Sequence, residues 1–79
     1  MKLPRNFSGK KLAAILCNHW DYRMVHQVGS HIILQTNTPS HQRLPIPSHS
    51  FLRIGTLNAI LRIVSNHKEV SKEEILETF

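Results

Sequence analysis

The chain reads as a small α+β domain in which one helix precedes three antiparallel strands and two further helices follow them. Three observations predict this. Apolar residues keep a helical rhythm in two blocks, before position 20 and after position 53. Between the blocks the pattern turns short and β-prone, cut by Gly29-Ser30 and by a run of turn residues at 36–41. A length of 79 residues with 41% apolar content supports one thin core and is too short for two.

Each element follows from its residues. Ser8 is a good N-cap, and Leu12, Ile15 and Leu16 after it fall at helical spacing with Lys10 and Lys11 on the exposed side, which predicts a first helix over Gly9–His19. Residues 22–28 predict a strand with Tyr22, Met24 and Val28 on one face and Arg23, Val25 and Gln27 on the other. Gly29-Ser30 is a tight turn and residues 31–35 a second strand, so the two form a hairpin whose turn sits beside His31. Residues 42–46 form a third strand, and Pro45 and Pro47, which cannot donate ladder hydrogen bonds, suit an edge position. After a loop at 48–53, Ile54, Leu57, Ile60, Leu61 and Val64 line one face of a second helix. Ser71-Lys72-Glu73-Glu74 is a capping box that opens a short third helix carrying Ile75 and Phe79.

A three-stranded sheet this small buries an apolar face only against helices, so both main helices are expected on one face with the other left open. The resulting α-β-β-β-α order, with a short C-terminal helix and all of 1–79 in one unit, is that of the double-stranded RNA-binding domain. Order alone does not carry function.

Composition narrows the function classes. No apolar run approaches the roughly 18 residues of a spanning helix, and Met1-Lys2-Leu3-Pro4-Arg5-Asn6 is followed by Phe7-Ser8-Gly9-Lys10-Lys11 where a signal peptide needs its apolar region. The lone Cys17 cannot pair internally and reads as a small core hydrophobe, so a cytoplasmic place is expected. Charge is unevenly placed. Residues 1–67 hold eight basic side chains against Asp21 alone, a net of +7, whereas residues 68–79 net −2. A basic body attracts polyanions, and nucleic acid is the commonest in a cytoplasm; a solvated basic surface is the plainer alternative.

The six histidines raise the question of metal. No two stand at His-x-x-x-His spacing, Cys-x-x-Cys is missing, and one carboxylate in the first 67 residues is too few to hold Mg²⁺, so neither metal nor cofactor is expected. RNA can be cut without metal because it carries its own nucleophile, the 2′-hydroxyl. A base must take that proton and an acid must protonate the leaving 5′-oxygen, and histidine, with an ordinary pKa of about 6.5, does both. Cations or backbone N–H groups steady the phosphate. His31 opens the second strand directly after Gly29-Ser30, where glycine lets a phosphate approach the backbone and the Ser30 hydroxyl can donate to it. A histidine at a strand start also serves simply to pair with a backbone group.

Three runs, Gln27-Val28-Gly29-Ser30-His31, Ile46-Pro47-Ser48-His49 and Gly55-Thr56-Leu57-Asn58-Ala59-Ile60-Leu61, together resemble the HicA (YcfA-like) toxin family. That family joins a Gly-Ser-His hairpin to a Val-Pro-x-His strand end and a Gly-Thr-Leu helix start. Ser8-Gly9-Lys10-Lys11-Leu12 and Glu74-Ile75-Leu76 also fit, so the likeness spans nearly the whole chain. The resemblance implies a double-stranded RNA-binding-like fold, messenger RNA cleavage with His31 as the catalytic residue, and a HicB-like antitoxin as partner. His49 matches the second family histidine, although it could equally cap the loop before the second helix. Two departures stand out: His26 where many members have Arg, which bears on one phosphate contact, and Asp21 where they have Gly.

The expected RNA contacts are Lys10 and Lys11 on the first helix, Arg23 and Arg43 on strands near the hairpin, and Gly29, Ser30 and His49 around the turn. Trp20 and Tyr22 could stack on bases but more simply fill core beside a helix end, and His19, His41 and His67 read as surface residues. The expected activity is a metal-independent endoribonuclease of a toxin-antitoxin pair. The alternatives are a non-catalytic RNA-binding module of the same fold and a domain whose basic face docks an acidic protein.

Overall fold

The computed structural model describes residues 3–79, so the basic Met1-Lys2 start lies outside the described residues. Six elements follow in the order α1 (Gly9–His19), β1 (Arg23–Val28), β2 (His31–Thr36), β3 (Gln42–Pro47), α2 (Ile54–Lys68) and α3 (Lys72–Leu76). The strands form one antiparallel sheet in the order β1-β2-β3.

α1 begins directly after Ser8, which is still extended and whose Oγ accepts the Lys11 N–H at 3.1 Å. Gly9 stands at that start for lack of room, because a Cβ there would lie 1.8 Å from the Pro47 carbonyl oxygen at the end of β3. The Gly9 N–H donates to the His49 carbonyl at 3.0 Å, so the first turn of α1 is sewn to the chain leaving β3. Just after the helix Asp21 lies in the left-handed region at φ +61, a conformation that favours glycine. α2 ends at Glu69, also left-handed, and α3 is opened by the expected capping box between Ser71 and Glu74.

The core lies between the sheet and the helices. Leu12 and Leu16 of α1, Leu57, Leu61 and Val64 of α2 and Ile75 of α3 meet Leu34, Leu44 and Ile46 of the sheet, all fully buried. Each such side chain stabilises the fold by about 1.5–3 kcal/mol. Tyr22 is 3% exposed, with its hydroxyl donating to Gln42 Oε1 at 2.6 Å, and Trp20 is half-buried with Nε1 donating to Thr78 Oγ1 at 3.1 Å. Both aromatics therefore pack in or against the core. The N-terminal segment is held alongside the last residues by the stacked rings of Phe7 and Phe79, 4.7 Å apart.

The helices share one face of the sheet, as expected, and β3 is an edge strand, as is β1. The faces of β1 differ from simple alternation. Arg23 and Met24 pair with Gln35 and Leu34, but the next pair joins His26 to Ile33, which leaves Val25 as an extra residue in a β-bulge. Beyond the bulge the faces are exchanged. Gln27 joins Met24 on the helix side, where both line a groove against α1, while Val28 joins Arg23 on the other side. Ile54, expected on the buried stripe of α2, is 45% exposed because the helix meets the core only from Leu57 onward.

Candidate functional site

The face of the sheet turned away from the helices follows from the register. Ile32, Leu34 and Thr36 of β2 and Leu44 and Ile46 of β3 point to the core, so their neighbours point outward. Three cross-strand rows result: Val28, His31 and Pro47; His26, Ile33 and Pro45; and Arg23, Gln35 and Arg43.

His31 stands exposed in the first row, at the start of β2. The turn before it opens with Gly29 at φ +57, where a Cβ would meet no atom within 4 Å, so backbone conformation is what calls for glycine there. The turn is anchored. The Ser30 carbonyl accepts both the Ser48 N–H at 2.7 Å and the Ser48 hydroxyl at 3.0 Å. Since His31 and His49 are the chain neighbours of these two bonded serines, the link brings both histidines to one end of the sheet. Ser48 escaped the sequence reading as a functional residue, although it stands inside the Ile46-Pro47-Ser48-His49 run. His49 stands at the start of the loop before α2 and lends its carbonyl to the Gly9 N–H, while the N-cap of α2 is Arg53, without a side-chain cap bond.

The basic residues fall into two further groups. Lys10 and Lys11 are exposed on the first turn of α1, at the same end of the sheet as His31 but on its helix side, and Lys10 borders the groove with Cys17, Met24 and Gln27. Arg23 and Arg43 correct the expectation that they lie near the hairpin. They flank Gln35, with Arg43 Nε donating to its Oε1 at 3.4 Å. Gln35 is four residues along β2 from His31, about 13 Å at the rise of an extended strand. Arg23 and Arg43 therefore share the open face with His31 and stand at its far end.

Sequence reasoning named His26 only as a departure bearing on one phosphate contact, and its place beside His31 comes from the strand pairing. With simple alternation from Met24, His26 would point at α1; the extra Val25 leaves it facing outward, in the row beside His31. The remaining histidines do other things. His19 is exposed, His41 Nδ1 lies 3.2 Å from Asn37 Oδ1, and His67, half-buried, has Nε2 2.9 Å from the Ser40 carbonyl.

Titratable groups inside the fold are structural. Burial pushes the Tyr22 phenol up to about 12 and the half-buried Cys17 thiol above its ordinary value, the latter opposed by a hydrogen bond with the Met24 backbone. Lys68 sits over the Tyr22 ring at 4.8 Å and donates to Thr36 Oγ1 at 2.8 Å and to the Thr38 carbonyl at 2.6 Å. Burial lowers its pKa, and Asp21 works the other way. The one carboxylate of the basic body is itself engaged, as Asp21 Oδ2 accepts the Thr38 hydroxyl at 2.7 Å. Among the described residues no three His, Cys, Asp or Glu side chains gather where they could hold a metal ion, and no helix is long and apolar enough to cross a membrane.

The chain matches no protein-family model, no curated protein and no solved structure.

Proposed function

We propose that the chain is a HicA-type toxin, a metal-independent endoribonuclease that cuts messenger RNA with His31 as general acid/base and is restrained in the cytoplasm by a HicB-like antitoxin. The observation that carries this reading is the placement of His31: exposed, at the first residue of β2, on an open sheet face, beside a Gly29-Ser30 turn held in place by Ser48. A phosphate reaching that turn meets backbone that no side chain covers at Gly29, with Lys10 and Lys11 at the same end of the sheet. The element order, that of a double-stranded RNA-binding domain, and the net charge of +7 over residues 1–67 support an RNA partner.

His31 would accept the 2′-hydroxyl proton or donate one to the 5′-oxygen, and the scarcity of carboxylates favours this route over one that depends on Mg²⁺. An acidic antitoxin suits the basic body, since opposite potentials speed encounter and sharpen specificity. A stable inhibitor complex of about 1,600 Å² would cover the hairpin and part of the basic surface together, so RNA and antitoxin would compete.

The test is cleavage of RNA by purified protein in EDTA. Activity is expected to survive chelation and to vanish in His31→Ala, while that variant keeps its fold and most of its RNA affinity. Full activity in His31→Ala, or activity lost with EDTA and restored by added metal, overturns the assignment. The non-catalytic reading has one observation in its favour, the Arg23-Gln35-Arg43 row about 13 Å from His31. It predicts salt-sensitive binding with no cleavage at all.

A further inference from the structure

Cleavage through the 2′-hydroxyl needs two proton transfers at opposite sides of one phosphorus, and His31 supplies a single imidazole. We propose that His26 is the second proton-transfer residue, placed beside His31 by the register of the β1–β2 hairpin. The inference rests on the ribonuclease reading above and names the partner that reading lacks.

Register and groove agree on where His26 points. His26 pairs with Ile33 and Val28 with His31, so the two histidines occupy diagonal positions on neighbouring strands of one face. Such positions stand about 7 Å apart at Cβ, a gap that imidazoles can span from both sides with a phosphodiester between them. Independently, Met24 and Gln27, three apart in sequence, both line the groove under α1. In an unbroken strand residues three apart lie on opposite faces, so Val25 is the extra residue between them, and His26, the neighbour of the inward Gln27, faces outward. Both histidines are exposed and reachable by a polyanion.

The charged residues that share this face with His26 are His31, Arg23 and Arg43; Lys10 and Lys11 project from α1 on the other side of the sheet. Bulges recur next to active sites because one extra residue re-aims a side chain without disturbing the rest of the ladder. Here the ladder resumes at once, with Gln27 and Val28 paired to Ile32 and His31.

The chemistry balances between the two rings. One neutral imidazole takes the proton of the 2′-hydroxyl as that oxygen forms its bond to phosphorus. The bond from phosphorus to the 5′-oxygen breaks as the second, protonated imidazole gives its proton to that oxygen. A 2′,3′-cyclic phosphate and a 5′-hydroxyl leave, and exchange with water returns each ring to its starting state. Arg23 and Arg43, about 13 Å along the strand, would hold phosphates further along the same RNA.

The test uses His26→Gln, which keeps a hydrogen-bonding side chain at this exposed position but cannot transfer a proton near neutrality. Relative to wild type we expect kcat to fall by about a hundredfold or more, with KM and the salt dependence of binding to an uncleavable RNA little changed. We also expect one limb of the wild-type bell-shaped pH-rate profile to disappear. A variant that keeps the wild-type kcat overturns the proposal. So does one that is slower but retains both limbs, since His26 then only positions RNA. These results concern His26 alone provided that wild type cleaves and His31→Ala does not. Failure of wild type to cleave overturns the ribonuclease reading and this inference together.

Discussion

Replacing Gly9 with Ala puts a methyl carbon where backbone already stands. The new Cβ would lie 1.8 Å from the Pro47 carbonyl oxygen, 2.9 Å from its carbon and 3.2 Å from Ser48 Cα. All three are main-chain atoms, so no rotamer change makes room, and either the first turn of α1 or the end of β3 must move. Overpacking of this kind costs about 1–3 kcal/mol. The same shift stretches the 3.0 Å bond from the Gly9 N–H to the His49 carbonyl, worth about 1 kcal/mol more. The better helix propensity of Ala returns at most about 1 kcal/mol. A net loss of about 1–3 kcal/mol is a large part of the roughly 4–12 kcal/mol available to a domain of this length. At about 4–8 °C per kcal/mol it lowers Tm by about 5–25 °C. Gly55 supplies the control: it too lies in the first turn of a helix, but a Cβ there meets nothing within 4 Å. Gly55→Ala is therefore expected to leave Tm unchanged or raise it. Circular-dichroism melts of both variants under one condition decide the matter. A Gly9→Ala melt no lower than that of Gly55→Ala refutes the close approach of α1 to β3.

Two further outcomes follow from the charges and the buried phenol. Changing Arg23 and Arg43 together to Gln should flatten the log-log salt dependence of binding to an uncleavable RNA by about two units, one for each phosphate that an arginine no longer neutralises; an unchanged slope in a filter-binding titration removes the open sheet face from the RNA interface. Burial raises the Tyr22 phenol to about 12, so the unfolded chain, with a phenol near 10, deprotonates first. Stability present below pH 10 should thus be lost as pH climbs towards 12, by up to about 3 kcal/mol, with Lys68, whose pKa is lowered, pulling weakly the other way. Urea titrations should find Tyr22→Phe less stable at neutrality, for want of the bond to Gln42, yet largely free of that alkaline decline. An equal decline in both proteins refutes the buried phenol as its source.

The helices were legible in the sequence because their determinants are local. Ser8 as cap, the apolar spacing of Leu12 and Leu16, and the Ser71-Glu74 box act within one or two turns, and the structure starts and stops α1 at Gly9 and His19. The stripe of α2 was legible from Leu57 to Val64, but not the exposure of Ile54, which depends on where the core ends. The hairpin was legible from Gly29-Ser30, a two-residue turn whose backbone demand is met by glycine. Less could be read in β1. A bulge is fixed by how two strands settle against each other, and nothing in Met24-Val25-His26 announces it; alternation carried through those residues puts His26 and Gln27 on the wrong faces. Arg23 and Arg43 were misplaced along the sheet for a related reason, since strand register sets their distance from the turn. The ties from Trp20 to Thr78 and from Lys68 to Thr36 and Thr38 join residues far apart in sequence and leave no local signature.

The extra residue in β1 also bears on how the protein behaves when crowded. β1 is an outer strand, every residue of it is exposed, and Met24 and Val28 are 61% and 56% exposed. A flat outer strand with such side chains offers evenly spaced N–H and C=O groups on which another chain can build, and that is how soluble proteins begin to form fibrils. Val25 breaks the even spacing, and Arg23 adds a charge that two facing copies would have to bring together. Deleting Val25 would make Met24 and His26 chain neighbours, so His26 would still face outward opposite Ile33, yet the change would do more than shorten β1. It would straighten a sticky margin, and protein that had stayed dispersed would be expected to precipitate as its concentration rose.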